Sequence, residues 1–361
     1  MNMTRVFNFS AGPSALPTSV LEKAQREMLD YQNTGMCVME MSHRASVYQG
    51  IIDKAEADFR KLLNISNEYA VLFMHGGASA QFAGIPMNLM VNKKKAAFID
   101  TGEWSRKAIS EAKKYGEVVV VASSEDKKYS FIPNVDKLAI PEDIDYFHIV
   151  NNNTIEGTRF TKLPKVKVPL VADMSSCILS EEINVNDYGL IFAGAQKNVG
   201  PSGLCLVIVK RSLMGKQMPI TPKLMNYKVT EENGSMTNTP STYSIYIAGL
   251  VFEWLLNLGG VKAIQKINIQ KADLLYDILD SSKFYHSPVN KADRSIMNIP
   301  FATKSEELDS LFVKEATKAG LVNLKGHRSV GGMRASIYNA MTLEGVQALV
   351  EFMSKFEKVN K

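Results

Sequence analysis

Cysteine is scarce in this chain: Cys37, Cys177 and Cys205 are the only three. They show no CxxC and no metal-ligand spacing, which argues against a disulfide framework and a cysteine-held metal. No metal site is expected, and the odd, low count points to a reducing compartment. Long hydrophobic runs are missing too. No stretch reaches the roughly 18 apolar residues of a membrane helix. The start, Met1-Asn-Met-Thr-Arg-Val-Phe-Asn8, has no basic segment followed by an apolar core. A soluble, cytoplasmic protein without a membrane partner is expected. Charge of one sign is also in short supply. A net charge of +5 over 361 residues reads as a mildly basic solvated surface or as a field that attracts small anions. The densest basic run is Lys93-Lys-Lys95, without Arg/aromatic interleaving, so nucleic acid is not an expected partner. Internal repeats and low-complexity linkers are absent.

What is present is globular. The hydrophobic share of 45% and charged share of 22% are ordinary for a folded domain, and the length suffices for two. From about residue 17 to 260, apolar runs alternate with amphipathic segments. Strands are expected at Ala70–Met74, Ala96–Ile99, Glu117–Val121, Phe147–Val150, Val168–Ala172, Leu190–Phe192 and Leu204–Val209. Most are continuous β-rich runs, as in strands covered on both faces. In the segment Trp104–Tyr115, residues Trp104, Ala108, Ile109, Ala112 and Tyr115 share one helical face. This alternation predicts a three-layer α/β domain over 17–260. After Gly259-Gly260 the texture changes. A long helix from Val261 to about Leu279 is expected, then short strands at Ser295–Ile299, near Leu321–Leu324 and at Gly332–Ile337. A final amphipathic helix carries Leu343, Val346, Leu349, Val350, Met353 and Phe356. Residues 261–361, joined by 1–16, are expected to form a smaller α+β domain.

The most informative stretch is Ala193-Gly-Ala-Gln-Lys197-Asn-Val-Gly-Pro201. It sets a lysine among small residues between two apolar strands. Desolvation disfavours the ammonium there and lowers its pKa. A neutral amine in a small-walled pocket is what Schiff-base chemistry requires. Upstream, Val171-Ala-Asp173 ends another apolar run with a carboxylate. A strand-end aspartate followed by a strand-end lysine is the pairing a pyridoxal phosphate site uses. The carboxylate keeps the pyridinium nitrogen protonated, and the lysine binds the aldehyde.

The other candidates are weaker, and each has a plainer structural reading. His75-Gly-Gly-Ala78-Ser79, between a strand and a helix, can cradle an anion on backbone amides or be a simple turn. It lacks the closing Gly-Lys-Ser/Thr of a Walker loop. Trp104, one of two tryptophans, either stacks on a cofactor ring or packs in the core. The run Asn151-Asn-Asn-Thr154-Ile-Glu156-Gly157 either lines a crevice at a strand end or makes a turn. His43-Arg44 and His327-Arg328 are two His-Arg pairs in a chain with five histidines. They suit carboxylate or phosphate, although such pairs are often surface residues. Arg334, among small residues in a strand, needs an anionic partner. Thr237-Asn238-Thr239-Pro240-Ser241 precedes a helix and can bind phosphate or merely cap it.

In order along the chain, these features resemble the phosphoserine aminotransferase family. Its members are class-V pyridoxal-phosphate enzymes of the aspartate-aminotransferase fold type I. The carriers are Asn8-Phe-Ser-Ala-Gly-Pro13, Val38-Met-Glu-Met-Ser-His-Arg44, His75-Gly-Gly77, Gly194-Ala-Gln-Lys-Asn198, Asn238-Thr-Pro240, Gly326-His-Arg328 and Gly331-Gly-Met-Arg-Ala-Ser-Ile-Tyr-Asn-Ala340. The resemblance runs nearly end to end. It implies a three-layer α/β/α large domain with a mostly parallel seven-stranded sheet, plus a smaller α+β domain. It implies pyridoxal 5'-phosphate bound by Lys197, with Asp173 at the ring nitrogen, Trp104 on the ring face and Thr154 at the phenolate-side oxygen. Ala78, Ser79 and Gln196 would hold the cofactor phosphate. Asn238 and Thr239 would reach it from the second subunit of a homodimer. Arg334 would bind the substrate α-carboxylate. His43, Arg44, His327 and Arg328 would surround the distal phosphate of phosphoserine or the side-chain carboxylate of glutamate, with Ser10 nearby. The reaction implied is reversible transamination of phosphoserine and 2-oxoglutarate in serine biosynthesis, extending to 4-phosphohydroxythreonine in pyridoxine biosynthesis. Some members carry an arginine where this chain has Ala78-Ser79, so the His-Arg pairs must supply more of the charge here. Two other readings stand beside it. A cysteine desulfurase would need a nucleophilic cysteine late in the chain. A non-catalytic binding protein could share the fold.

Overall fold

The computed structural model describes residues 5–361. Its centre is a seven-stranded sheet built from β2 (Tyr69–His75), β3 (Lys95–Asp100), β4 (Glu117–Ser123), β5 (Tyr146–Val150), β6 (Leu170–Asp173), β7 (Leu190–Gly194) and β8 (Leu204–Lys210), in spatial order β2-β8-β7-β6-β5-β3-β4. Neighbours from β7 to β4 run parallel, and β8 alone is antiparallel to both β2 and β7. The apolar runs are continuous because both sheet faces are covered. In β2, Val71 and Phe73 enter one hydrophobic cluster while Ala70, Leu72 and Met74 enter the other. The first face is covered by α1 (Thr18–Arg26), α2 (Ser46–Leu63) and α6 (Thr242–Asn257). The opposite face is covered by α3 (Gly77–Leu89) and α4 (Glu103–Ala112), with α5 (Tyr227–Glu232) beside them.

Two expectations shift. The valine run of β4 is only half-buried, with Val120 43% exposed, because β4 is an edge strand with one neighbour. The strand expected at Ser295–Ile299 forms as β9 (Asn298–Phe301). Ser295 Oγ accepts from the backbone N–H groups of Met297 and Asn298, and this turn delays the strand.

A separate hydrophobic cluster joins Phe9 to residues from Ala272 to Phe356. It contains α7 (Val261–Ser281), β9, α8 (Glu306–Lys318), β10 (Leu321–Val322), β11 (Met333–Ser336) and α9 (Leu343–Asn360). Here β11 pairs antiparallel with β9, and β1 (Phe7–Asn8) pairs parallel with β10. Polar side chains fasten this part to the sheet. Asn339 donates to Leu179 O at 2.9 Å, and its backbone N–H donates to Asn198 Oδ1, also at 2.9 Å. Lys271 on α7 is fully buried, and its Nζ donates to the carbonyls of Ile337, Tyr338 and Met341 at 2.9–3.0 Å. Three acceptors satisfy the three ammonium hydrogens and fix the turn that follows β11. Among the described residues, no single helix is long and apolar enough to cross a membrane.

Candidate active site

Lys197 sits in the loop 195–203 that joins β7 to β8. That hairpin presses it against the sheet's carboxyl edge, where β5 and β6 also end. Its side chain is buried, and Nζ donates to Thr154 Oγ1 at 2.6 Å. Burial lowers the amine to about 8, further helped by Arg334 and opposed by Asp173. Asp173, the last residue of β6, is buried and accepts from the Ser175 N–H at 2.9 Å. Burial raises its carboxyl, against the pull of Ser175 and Lys197. Each group thus lacks the hydration that would stabilise its charged form in water.

A cavity of about 270 Å³ joins these residues. It is lined by Ala78, Ser79, Trp104, Thr154, Asp173, Gln196 and Lys197, all expected from the sequence. The Trp104 ring centre lies 5.6 Å from Lys197 Nζ. Ala78 and Ser79 open α3, whose N-terminus has no side-chain cap. Gly76 precedes it at φ +86°, and a Cβ there would stand 2.6 Å from Ala80 Cβ, so the turn requires glycine. Arg334 on β11 donates from Nη1 to Thr154 O at 3.2 Å. Thr154 therefore links the buried amine and the guanidinium.

The remaining expected residues do not line this cavity. Asn238, Thr239, Arg44 and Arg328 are exposed, while Ser10, His43 and His327 are half-buried. The His327-Arg328 loop continues into Ser329–Met333, which borders a second cavity of about 640 Å³ with Glu103, Arg106 and Glu156. That larger space holds neither Lys197 nor Asp173. Burial lowers His327, assisted by the positive charge of Arg334 and Arg328.

The cavity is also lined by Asn152, from the polar run after β5, and by Ser175, Ser176 and Ser202, which were not expected at the site. Ser175 Oγ accepts from Gly194 N–H at 3.0 Å, and Asn152 Nδ2 donates to Ser176 Oγ at 2.8 Å. Their signal in the sequence was proximity alone, Asn152 to Thr154, Ser175 and Ser176 to Asp173, and Ser202 to Lys197. All three cysteines are free and buried, and burial pushes the Cys177 thiol up to about 12. A thiolate nucleophile, as a desulfurase would need, is disfavoured in these settings.

Residues 6–349 match the family described as Aminotransferase class-V. A phosphoserine aminotransferase of Bacillus cereus is 57% identical over 360 residues, covering 99% of this chain and 100% of the relative. The solved phosphoserine aminotransferase of Bacillus circulans subsp. alkalophilus superposes with a TM-score of 0.97 at 46% identity, covering 99% of each chain. A pyridoxal-phosphate-bound phosphoserine aminotransferase from Trichomonas vaginalis superposes with a TM-score of 0.93 at 38% identity, covering 97% of this chain and 100% of the other.

The chain belongs to the class-V aminotransferases, among the phosphoserine aminotransferases.

Phosphoserine aminotransferases work with pyridoxal 5'-phosphate, and the cavity can be judged for that group. Trp104 Nε1 and Gln196 Oε1 are buried without a hydrogen-bond partner. Such orphans call for a polar ligand. The uncapped α3 N-terminus suits a phosphate, because its free N–H groups and dipole favour an anion. The buried Asp173 carboxylate suits a protonated ring nitrogen, and Lys197 Nζ suits the aldehyde. The donor set of this aminotransferase fits the cofactor.

Proposed function

We propose that the cavity around Lys197 is where this transaminase interconverts O-phospho-L-serine and 2-oxoglutarate with 3-phosphooxypyruvate and L-glutamate, in L-serine biosynthesis. One observation carries the assignment: Thr154 holds Lys197 Nζ through its hydroxyl and Arg334 through its carbonyl. The proton-moving amine and the carboxylate-binding cation are thereby set on one residue.

Bound pyridoxal 5'-phosphate supplies an aldehyde for the incoming amino group and a sink for the electrons freed at Cα. Lys197 Nζ takes the proton from the substrate Cα and returns it as an acid, a role suited to an amine poised near 8. Asp173 holds positive charge at the ring nitrogen, Trp104 covers the ring, and Ala78, Ser79 and Gln196 bind the phosphate end. Arg334 orients the substrate α-carboxylate by a planar fork. His43, Arg44, His327 and Arg328, with Ser10, receive the distal group. Because one cluster must accept a phosphate in one half-reaction and a carboxylate in the other, exposed arginine and half-buried histidine side chains serve better than a closed cage. With Ala78-Ser79 in the phosphate turn rather than arginine, Arg44 and Arg328 carry the distal charge, and His43 and His327 add hydrogen bonds. The same recognition extends to 4-phosphohydroxy-L-threonine in pyridoxine biosynthesis, and failure of that compound as amino donor would remove the extension.

Asn238 and Thr239 are exposed and polar just before α6, which supports a homodimer in which each reaches the partner's cofactor phosphate. A monomer in sedimentation equilibrium would contradict it. Residues 17–260 would form the cofactor-binding domain, and 5–16 with 261–361 the small one; residues 1–4 of the expected small domain lie outside the described residues. The three free, buried cysteines support a cytoplasmic location. The purified protein is expected to absorb visible light from the lysine-bound cofactor. Lys197→Ala should abolish that absorbance and lower amino transfer at least about a thousandfold. A colourless protein that cannot be reconstituted would overturn the proposal.

A further inference from the structure

The turn that carries Thr154 also carries Glu156, an acid to which the mechanism gives no task. Its side chain is 7% exposed. Oε1 accepts from the Glu103 N–H at 2.9 Å, while Oε2 is buried without a partner. Glu103 is the first residue of α4, and Trp104 is the second. The Ser105 hydroxyl, the near side chain of α4, is instead engaged with Thr101 N–H, Gly102 N–H and Asp100. The Glu156 carboxylate also lies flat against Gly102, where a Cβ would stand 2.5 Å from the carboxyl carbon.

The turn itself is closed. Asn153 N–H donates to Thr158 O at 2.7 Å, Gly157 N–H to Asn153 O at 2.8 Å, and Asn153 Nδ2 to Thr158 Oγ1 at 3.0 Å. At Gly157, φ is +79° and a Cβ would meet Pro300 Cδ at 2.2 Å, so this residue is wedged against β9. A rigid turn thus reaches two ways: Thr154 toward Lys197, and Glu156 toward the start of the helix that bears Trp104. A carboxylate at a helix N-terminus satisfies an orphan donor and complements the dipole.

We propose that Glu156 is a positioning residue that fixes the first turn of α4 and so aims the Trp104 ring at the cofactor. The proposal rests on the reading that Trp104 stacks on pyridoxal 5'-phosphate. Glu156 touches the helix start and does not line the cavity around Lys197, so its loss would act on cofactor affinity through Trp104.

The test uses Trp254→Phe as the parent, leaving Trp104 as the sole tryptophan. Apoprotein is titrated with pyridoxal 5'-phosphate while tryptophan emission and visible absorbance are followed. Glu156→Ala should weaken the dissociation constant about tenfold, the loss expected for one charge-assisted hydrogen bond. It should also shift the emission of the apoprotein. Glu156→Gln keeps an acceptor for Glu103 N–H and should stay within about threefold of the parent on the same hydrogen-bond argument. Gly102→Ala drives a methyl into the carboxylate and should reproduce the loss. Glu156→Ala binding as tightly as the parent, or Glu156→Gln falling as far as Glu156→Ala, would overturn the proposal. If Glu156→Ala fails to fold by circular dichroism, parent-like affinity in Gly102→Ala overturns it. Unquenched Trp104 emission while absorbance still reports binding would overturn the stacking reading, and the proposal with it.

Discussion

Lys197 shows how a single side chain is tuned by its place. Its amine lies at about 8 rather than the ordinary 10.5, chiefly through burial. The neutral form is the nucleophile, so roughly a tenth of the apoprotein is reactive at pH 7 and about half at pH 8. Capture of pyridoxal 5'-phosphate is therefore expected to speed up about fivefold from pH 7 to 8 and to level off above about pH 9. Stopped-flow absorbance checks this, and a rate still climbing tenfold per unit at pH 9.5 would place the amine at its unshifted value. Lys197 and Asp173 were legible in the sequence because a charge at the end of an apolar strand is chemically out of place. Glu156 was not, because an acid in a polar turn looks like turn chemistry until its burial is seen.

At the scale of elements, the strand positions were readable wherever both faces are covered. The edge strand β4 reads as a continuous β-branched apolar run like the buried β8, and composition alone does not reveal an edge. Lys271 also escaped notice, since a lysine on an amphipathic helix normally faces water. His148 in β5 is a further case. It is buried beside Phe98, ring centres 4.9 Å apart, and neither ring nitrogen has a partner. Burial lowers its pKa from 6.5 to about 3, so the native state refuses a proton that the unfolded chain accepts. Stability from this group is complete above pH 6.5 and declines as pH falls toward 3. At pH 5.5 the loss is ~1.4 kcal/mol. His148→Phe should remove that share of the acid sensitivity in urea unfolding at pH 7.5 and 5.5. An unchanged difference between the two pH values would show that His148 contributes nothing.

At the scale of the molecule, the site is assembled from distant parts of the chain. The sheet's carboxyl edge supplies Asp173, Lys197 and Thr154, and the C-terminal part supplies Arg334. The two distal His-Arg pairs stand outside the cofactor cavity of one chain. Long-range assembly of this kind leaves no local pattern, so Arg334 read from its own neighbours was only a guanidinium in want of an anion. Its partner in the chain, Thr154 O, appears only in the fold. The central claim is that this assembly selects a phosphorylated amino donor. The most direct measurement compares kcat/KM for amino transfer to 2-oxoglutarate from O-phospho-L-serine and from L-serine. At least about a hundredfold preference for phosphoserine is expected, since L-serine lacks the anion that Arg44 and Arg328 would bind through charge-assisted hydrogen bonds. Equal values for the two donors would contradict the account.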